Sequence, residues 1–203
     1  MNETLFYDPA HPSPLPHDPI KAIVAPRPIG WISTVSAQGV GNLSPFSFFN
    51  LLCQRPAIVA FACETRNHTL ANCEETGEFV HNLASQSLAE MMNQSSANYP
   101  AEVDEMRYLG IESAPCVNVR PMRVAQSPAS LECKVTEIRS LATLAGGKGR
   151  SVVVFGQVVG VHIRHDCLED GIFQTTRALP MTRAGRDDYS VMDRAFSLPR
   201  PKL

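Results

Sequence analysis

Two strand-length segments meeting at a glycine turn constrain the fold of this chain more than any other feature. Ile29 to Ser36 and Val40 to Phe48 flank Ala37-Gln38-Gly39. β-Branched and aromatic residues suit extended backbone, and glycine supplies the positive φ of a tight turn. The pattern predicts an antiparallel hairpin with Gly39 in the left-handed region. Further strand signals follow along the chain. Ala57 to Cys63 is an unbroken apolar run, as in a strand buried on both faces. Glu78 to Leu83 is a shorter strand. Leu131-Glu132-Cys133-Lys134-Val135 alternates strictly, which predicts a half-buried strand. Ser151 to Ile163 is rich in valine, and Gly156 and Gly160 within it predict bulges or a barrel corner. Leu144 to Arg150 reads as a flexible connection between these last two strands.

Only three helices are predicted, all short. Thr65 or Asn67 caps one that runs to Thr76 and stops at Gly77. Ser85 caps a second that carries Leu88, Met91 and Met92 on one face. Pro100 opens a third with Val103, Met106 and Leu109, closed by Gly110. Many strands with few helices give a mainly β fold, most simply a barrel with helices at its periphery.

The 203 residues suit a single domain. Seven of the sixteen prolines lie between Pro9 and Pro28. Proline removes backbone donors, so residues 1–20 are expected to form an extended arm over the core or a partner subunit, and residues 21–203 the domain itself. The net charge of −2 leaves no basic excess for a phosphate backbone, so nucleic acid is not an expected partner. The longest apolar run, Ala57 to Cys63, is too short to span a membrane, and the polar N-terminal stretch does not read as a signal peptide. No pair among the six cysteines has C-x-x-C spacing. Reduced thiols in a cytoplasmic protein are expected, with neither disulfide scaffold nor metal site.

Several motifs fail on inspection. Gly146-Gly147-Lys148-Gly149-Arg150 lacks the spacing and the Ser or Thr of a phosphate-binding loop. Neither Gly-x-Gly-x-x-Gly nor Gly-x-Ser-x-Gly occurs. His162 and His165 have odd spacing near a strand end, which throws their rings to opposite sides and argues against a shared metal. His162 alone stands where a barrel pocket could open, as a binding group or as a hydrogen-bonded structural histidine.

Two clusters carry more. The hairpin places Ser33, Thr34, Ser36, Asn42, Ser44, Ser47 and Asn50 among apolar residues. Polar groups at this density on core strands need partners. Either the strand ladder and a solvated barrel face supply them, or a bound polar ligand does. The second cluster favours the ligand. Glu64-Thr65-Arg66-Asn67-His68-Thr69 runs into the first helix, whose free N–H groups and dipole attract an anion. Arg66 adds charge and Thr69 a hydroxyl, which makes a phosphate seat.

At this point the order of motifs resembles a known family. Arg27-Pro28-Ile29-Gly30-Trp31-Ile32-Ser33-Thr34, Asn42-Leu43-Ser44-Pro45-Phe46-Ser47-Phe48-Phe49, Arg66-Asn67-His68-Thr69 and Thr76-Gly77-Glu78-Phe79-Val80-His81-Asn82-Leu83 are similar to segments of the flavin-reductase-like, FMN-binding split-barrel proteins. Phe155-Gly156-Gln157-Val158-Val159 with His162, Tyr189, and Arg200-Pro201 extend the likeness from about Lys21 to Pro201. The resemblance implies a six-stranded antiparallel split barrel, a homodimer, and FMN held without a covalent bond. It implies flavin contacts from Ser33, Thr34, Asn42, Ser44, Pro45, Phe46 and Ser47, and phosphate contacts from Arg66, Asn67 and Thr69. Many family members carry Lys-Asp-Thr at that turn, and small residues where this chain has Leu51-Leu52-Cys53. The resemblance does not fix the reaction; the leading expectation is NADH- or NADPH-dependent flavin reduction, with electrons passed to a second flavin, oxygen or a partner monooxygenase and His162 as the candidate for docking the nicotinamide. An FMN-binding electron carrier that ignores nicotinamide, and a non-enzymatic β-barrel interaction module, are the alternative readings.

Overall fold

A computed structural model describes residues 3–201. Seven strands form one antiparallel sheet: β1 (Gly30–Val35), β2 (Gly41–Phe46), β3 (Phe49–Gln54), β4 (Ala57–Cys63), β5 (Glu78–Leu83), β6 (Ala129–Ala142) and β7 (Lys148–Ile163). Their order across the sheet is β2-β1-β5-β6-β7-β4-β3. The two edges, β2 and β3, are therefore consecutive in sequence with only Ser47 and Phe48 between them. A flat sheet of this width would hold its edges roughly 29 Å apart. The link from Phe46 to Phe49 spans at most about 11 Å. The sheet must curl, and the result is a split barrel whose seam is the Ser47–Phe48 corner. There the Ala62 N–H donates to the Phe48 carbonyl at 2.9 Å.

This corner also accounts for the strand count. The expectation was six, with one strand from Val40 to Phe48. The extended segment instead breaks at Ser47 and Phe48, and Phe49–Gln54 continues as a separate edge strand. The connection before β7 is shorter than expected. Pairing continues to Ala142 and resumes at Lys148, so Thr143 to Gly147 closes a tight turn with the Thr143 N–H on the Gly147 carbonyl at 2.8 Å. Register shifts fall at Phe155/Gly156 and Val158/Gly160, where the glycines marked bulges. A Cβ on Gly156 would stand 2.3 Å from the ring of Phe79 on β5, so the core has room for glycine alone at this point of β7.

Three helices matter for the site: α1 (His68–Thr76), α2 (Ala89–Gln94) and α3 (Glu105–Tyr108). Asn67 caps α1 by accepting the Leu70 N–H at 2.9 Å, and Gly77 ends it at φ 69°. Ser85 does not cap the second helix; its hydroxyl meets Ser87, and a 3₁₀ turn over Gln86–Leu88 leads into α2. Nor does Pro100 open the third. Asp104 supplies a better cap, its carboxylate accepting the Arg107 N–H at 3.1 Å, so α3 starts later and is one turn long.

Adjacent residues of β1 face opposite ways and serve two cores. Trp31 packs outward with Leu43, Leu88, Met92 and Met106, while Ile32 packs with Val59, Phe61, Phe79 and Val154. Trp31 is fully buried and donates from Nε1 to Ser95 at 2.9 Å, which pins the end of α2 to the sheet. The N-terminal segment from Glu3 to Pro19 carries neither helix nor strand; the first and last two residues of the expected arm and domain lie outside the described residues. Arg27 ties the segment that follows to the C-terminal part of the chain. Its guanidinium donates to the carbonyls of Lys21, of Val24 at 2.5 Å and of Ala184 at 2.8 Å.

His81 stacks on Phe49 with ring centroids 4.3 Å apart, and its Nδ1 is buried without a partner. Burial holds its pKa down at about 4. The unfolded chain binds this proton near pH 6.5 and the folded chain does not, so stability is full above pH 6.5 and falls as the pH drops toward 4. Urea unfolding at pH 7 and pH 5 is expected to show a loss of about 2 kcal/mol that His81→Phe removes. An equal loss in the variant would contradict the assignment.

Candidate functional site

The residues of β2 alternate in direction, so Asn42, Ser44 and Phe46 present one face. That face, the turn into α1 and the segment after α2 enclose a cavity of about 630 Å³. Its size suits a cofactor or a drug-sized ligand. Of the ten binding residues expected from sequence, eight line it: Asn42, Ser44, Pro45, Phe46, Ser47, Arg66, Asn67 and Thr69. Ser33 and Thr34 do not. Both are buried and their hydroxyls are engaged elsewhere. Ser33 donates to the Met122 carbonyl at 2.6 Å and accepts from Asn82 at 3.2 Å. Thr34 accepts from Asn72 at 3.0 Å and from Asn42 at 3.4 Å. Part of the polarity on these strands is therefore satisfied within the fold.

The wall that sequence reasoning missed is Ser96-Ala97-Asn98-Tyr99, with Glu105 beside it. The polar run after α2 was the available signal, but nothing local indicates that Trp31 holds its start through Ser95. Glu105 is buried and accepts the Leu43 N–H at 2.9 Å on the open edge of the sheet. Burial raises its pKa, against the lowering pull of that amide.

Several donors gather at the α1 end of the cavity. Asn67 takes the Leu70 N–H, and the Ala71 N–H returns to the Asn67 carbonyl. The N–H groups of His68 and Thr69, in the first turn, have no intrahelical acceptor. The Thr69 hydroxyl accepts from Asn42 at 2.9 Å. Arg66 stands at the rim, 70% exposed, and pairs with Glu74 at 2.7 Å. Donors converge at one end, and the Phe46 and Phe48 side of the lining is aromatic. This set fits a phosphorylated aromatic cofactor. A second cavity of about 320 Å³ shares Pro45, Ser47 and Ser96 with the first and is bounded by Arg183 and Tyr189. Arg183 lies over the Tyr189 ring at 4.4 Å.

His162 lines neither cavity. Its Nε2 meets Oε1 of Glu132 at 2.5 Å, and Glu132 is fully buried. The amides of Val117 and Asn118 donate to the same carboxylate at 2.8 and 2.6 Å. Burial alone would raise the Glu132 pKa, but these donors hold it below the ordinary carboxylate range. His162 thus pairs with a buried carboxylate, away from both cavities. Cys116 brings its sulfur within 4.8 Å of both groups. The 2.5 Å nitrogen–oxygen contact is closer than two ligands of one zinc ion can stand, and the carboxylate already serves three partners. Desolvation first, then Glu132, pushes the Cys116 thiol up to about 12, and burial takes Cys63 to about 11. All six cysteines are free.

The fold has counterparts among known proteins. Residues 24–181 match the flavin reductase like domain. The chain belongs to that family. An uncharacterized protein of Deinococcus radiodurans is 34% identical over 98% of this chain and 91% of its own. A second, from Halalkalibacterium halodurans, is 32% identical over 89% of this chain and 88% of its own. Among solved structures, nitrilotriacetate monooxygenase component B from Bacillus cereus superposes with a TM-score of 0.88 at 22% identity, covering 98% of this chain and 100% of that one. The 2-nitrobenzoate 2-nitroreductase of Pseudomonas fluorescens gives 0.80 at 24% identity, covering 91% and 89%. These likenesses establish a shared split-barrel fold. No helix among the described residues is long and apolar enough to cross a membrane.

Removing the His162 ring leaves Glu132 buried with one fewer donor. His162→Ala is expected to cost about 2 to 3 kcal/mol in urea unfolding at pH 7, while Glu132→Gln with His162 retained costs less. A His162→Ala variant as stable as the parent would show that the pair contributes nothing.

Proposed function

We propose that this chain is an FMN-binding oxidoreductase that takes hydride from NADH or NADPH and passes electrons to oxygen or to a partner oxygenase. One observation carries the reading: hydroxyl and backbone donors converge at the start of α1, in a cavity with aromatic lining, within a flavin-reductase fold. In this reading Thr69, the first-turn amides and Arg66 hold the phosphate, and Asn67 keeps its side chain for the helix cap. Asn42, Ser44 and Ser47 offer polar groups along the β2 face to the sugar-like chain and the ring edge. Phe46 supplies apolar surface and helps to keep water out. Bound flavin supplies the hydride and electron chemistry. Hydride transfer needs no side-chain acid or base, so the residues serve to bind, orient and exclude water.

The adjoining cavity bounded by Arg183 and Tyr189 is the proposed approach for the nicotinamide, in place of His162. The name of the Bacillus cereus protein, a monooxygenase component, supports transfer to a partner oxygenase. A homodimer is also proposed. Leu51 and Leu52 are more than half exposed on edge strand β3, and Ile23 and Val24 are likewise exposed, an apolar surface that a second copy can cover. The N-terminal arm is proposed to lie against that second copy, and the assembly to work in the cytoplasm.

The test is an absorption spectrum of the purified protein with FMN, before and after anaerobic NADH or NADPH. Bleaching of the flavin bands is the expected result. A bound flavin that neither nucleotide bleaches would favour the electron-carrier reading, and failure to bind FMN would overturn the proposal.

A further inference from the structure

A buried network runs from the cavity wall into the fold beneath it. Asn72 sits one turn after Thr69 on the same face of α1. Its Nδ2 donates to Thr34 Oγ1 at 3.0 Å. Asn42 Nδ2 donates to the same oxygen at 3.4 Å and to Thr69 Oγ1 at 2.9 Å. All four side chains are buried, none more than 8% exposed. Asn42 and Thr69 line the cavity, whereas Asn72 and Thr34 do not.

The donor arithmetic has a direction. A hydroxyl carries one proton and two lone pairs. Asn42 turns its amide nitrogen to both hydroxyls, so Thr34 accepts amide protons from Asn42 on one side and Asn72 on the other. Thr69 therefore accepts from Asn42, and its own proton is left to donate. The free N–H groups of His68 and Thr69 add two further donors beside it. The start of α1 then presents three donors side by side, the Thr69 proton and the two free amides. A phosphate monoester, which is rich in acceptors and charged, matches it. A terminal hydroxyl, neutral and carrying a proton of its own, matches it poorly.

We infer that the Asn72–Thr34–Asn42 network sets the Thr69 hydroxyl as a donor and so makes the cavity selective for FMN over unphosphorylated riboflavin, with Asn72 and Thr34 as positioning residues. The inference rests on the cofactor reading proposed above. It adds that selectivity resides partly in residues that never touch the ligand.

Fluorescence titration of the full chain with FMN and with riboflavin tests it, using the parent protein, Asn72→Ala, Thr34→Val and Thr34→Ser. The parent is expected to prefer FMN. Asn72→Ala and Thr34→Val are expected to weaken FMN about five- to tenfold and riboflavin less than twofold, so the preference narrows. Thr34→Ser keeps the hydroxyl and is expected to restore it. Thermal melts identify a variant that fails to fold, and Thr34→Val then stands in for Asn72→Ala. Equal weakening of both flavins, or no weakening of either, would overturn the inference while leaving the cofactor reading intact. A parent protein that binds neither flavin would overturn both.

Discussion

The rest of the structure depends on a closure constraint. The two edge strands of the sheet are neighbours in sequence, and Ser47 and Phe48 are all that joins them. Because those edges cannot stand apart, the sheet curls and encloses the core around Phe61 and Phe79, whose rings meet edge to face at 5.3 Å. Glycine is required where the curled strands press together. A Cβ on Gly30 would stand 2.6 Å from the Phe49 ring just past the corner. The same corner bounds the cavity, so barrel closure and ligand access share one piece of backbone.

Buried polar groups then fix the walls. Asn82 is fully buried, yet its amide donates to the Trp31 carbonyl and to Ser33, and its oxygen accepts from Val124 and Ser130. A group saturated in this way ties β1, β5 and β6 together and costs little to bury. Trp31 passes that rigidity to the end of α2 through Ser95, and Asn72 passes it to the start of α1 through Thr34. The polar residues of the hairpin thus divide. Ser33 and Thr34 hold the fold, while Asn42, Ser44 and Ser47 face the cavity.

The sequence carried much of this. Apolar runs and turn glycines located β1, β2 and β4 to β7, and Asn67 and Gly77 bounded α1, because local chemistry decides each of these. The phosphate-seat argument brought Arg66, Asn67 and Thr69 to one cavity. Other features depended on contacts distant in sequence. Strand β3 is set by pairing with β4 across Arg55-Pro56, and Leu51 and Leu52 remain exposed on it, so no burial pattern announced it. Glu105 closes on the Leu43 amide 62 residues away. Glu132 and His162 belong to neighbouring strands, and only the register reveals that the histidine pairs with a buried carboxylate. The motif points Arg66 toward a phosphate, and its guanidinium also reaches Glu74, a contact that the sequence does not announce.

The central claim is that the start of α1 seats the phosphate of FMN. A crystal structure of the FMN complex tests it most directly. The account predicts the phosphate within hydrogen-bonding reach of the Thr69 hydroxyl and the first-turn amides, with the ring system along the β2 face. A phosphate bound away from α1, with the Thr69 hydroxyl turned from the ligand, would contradict it.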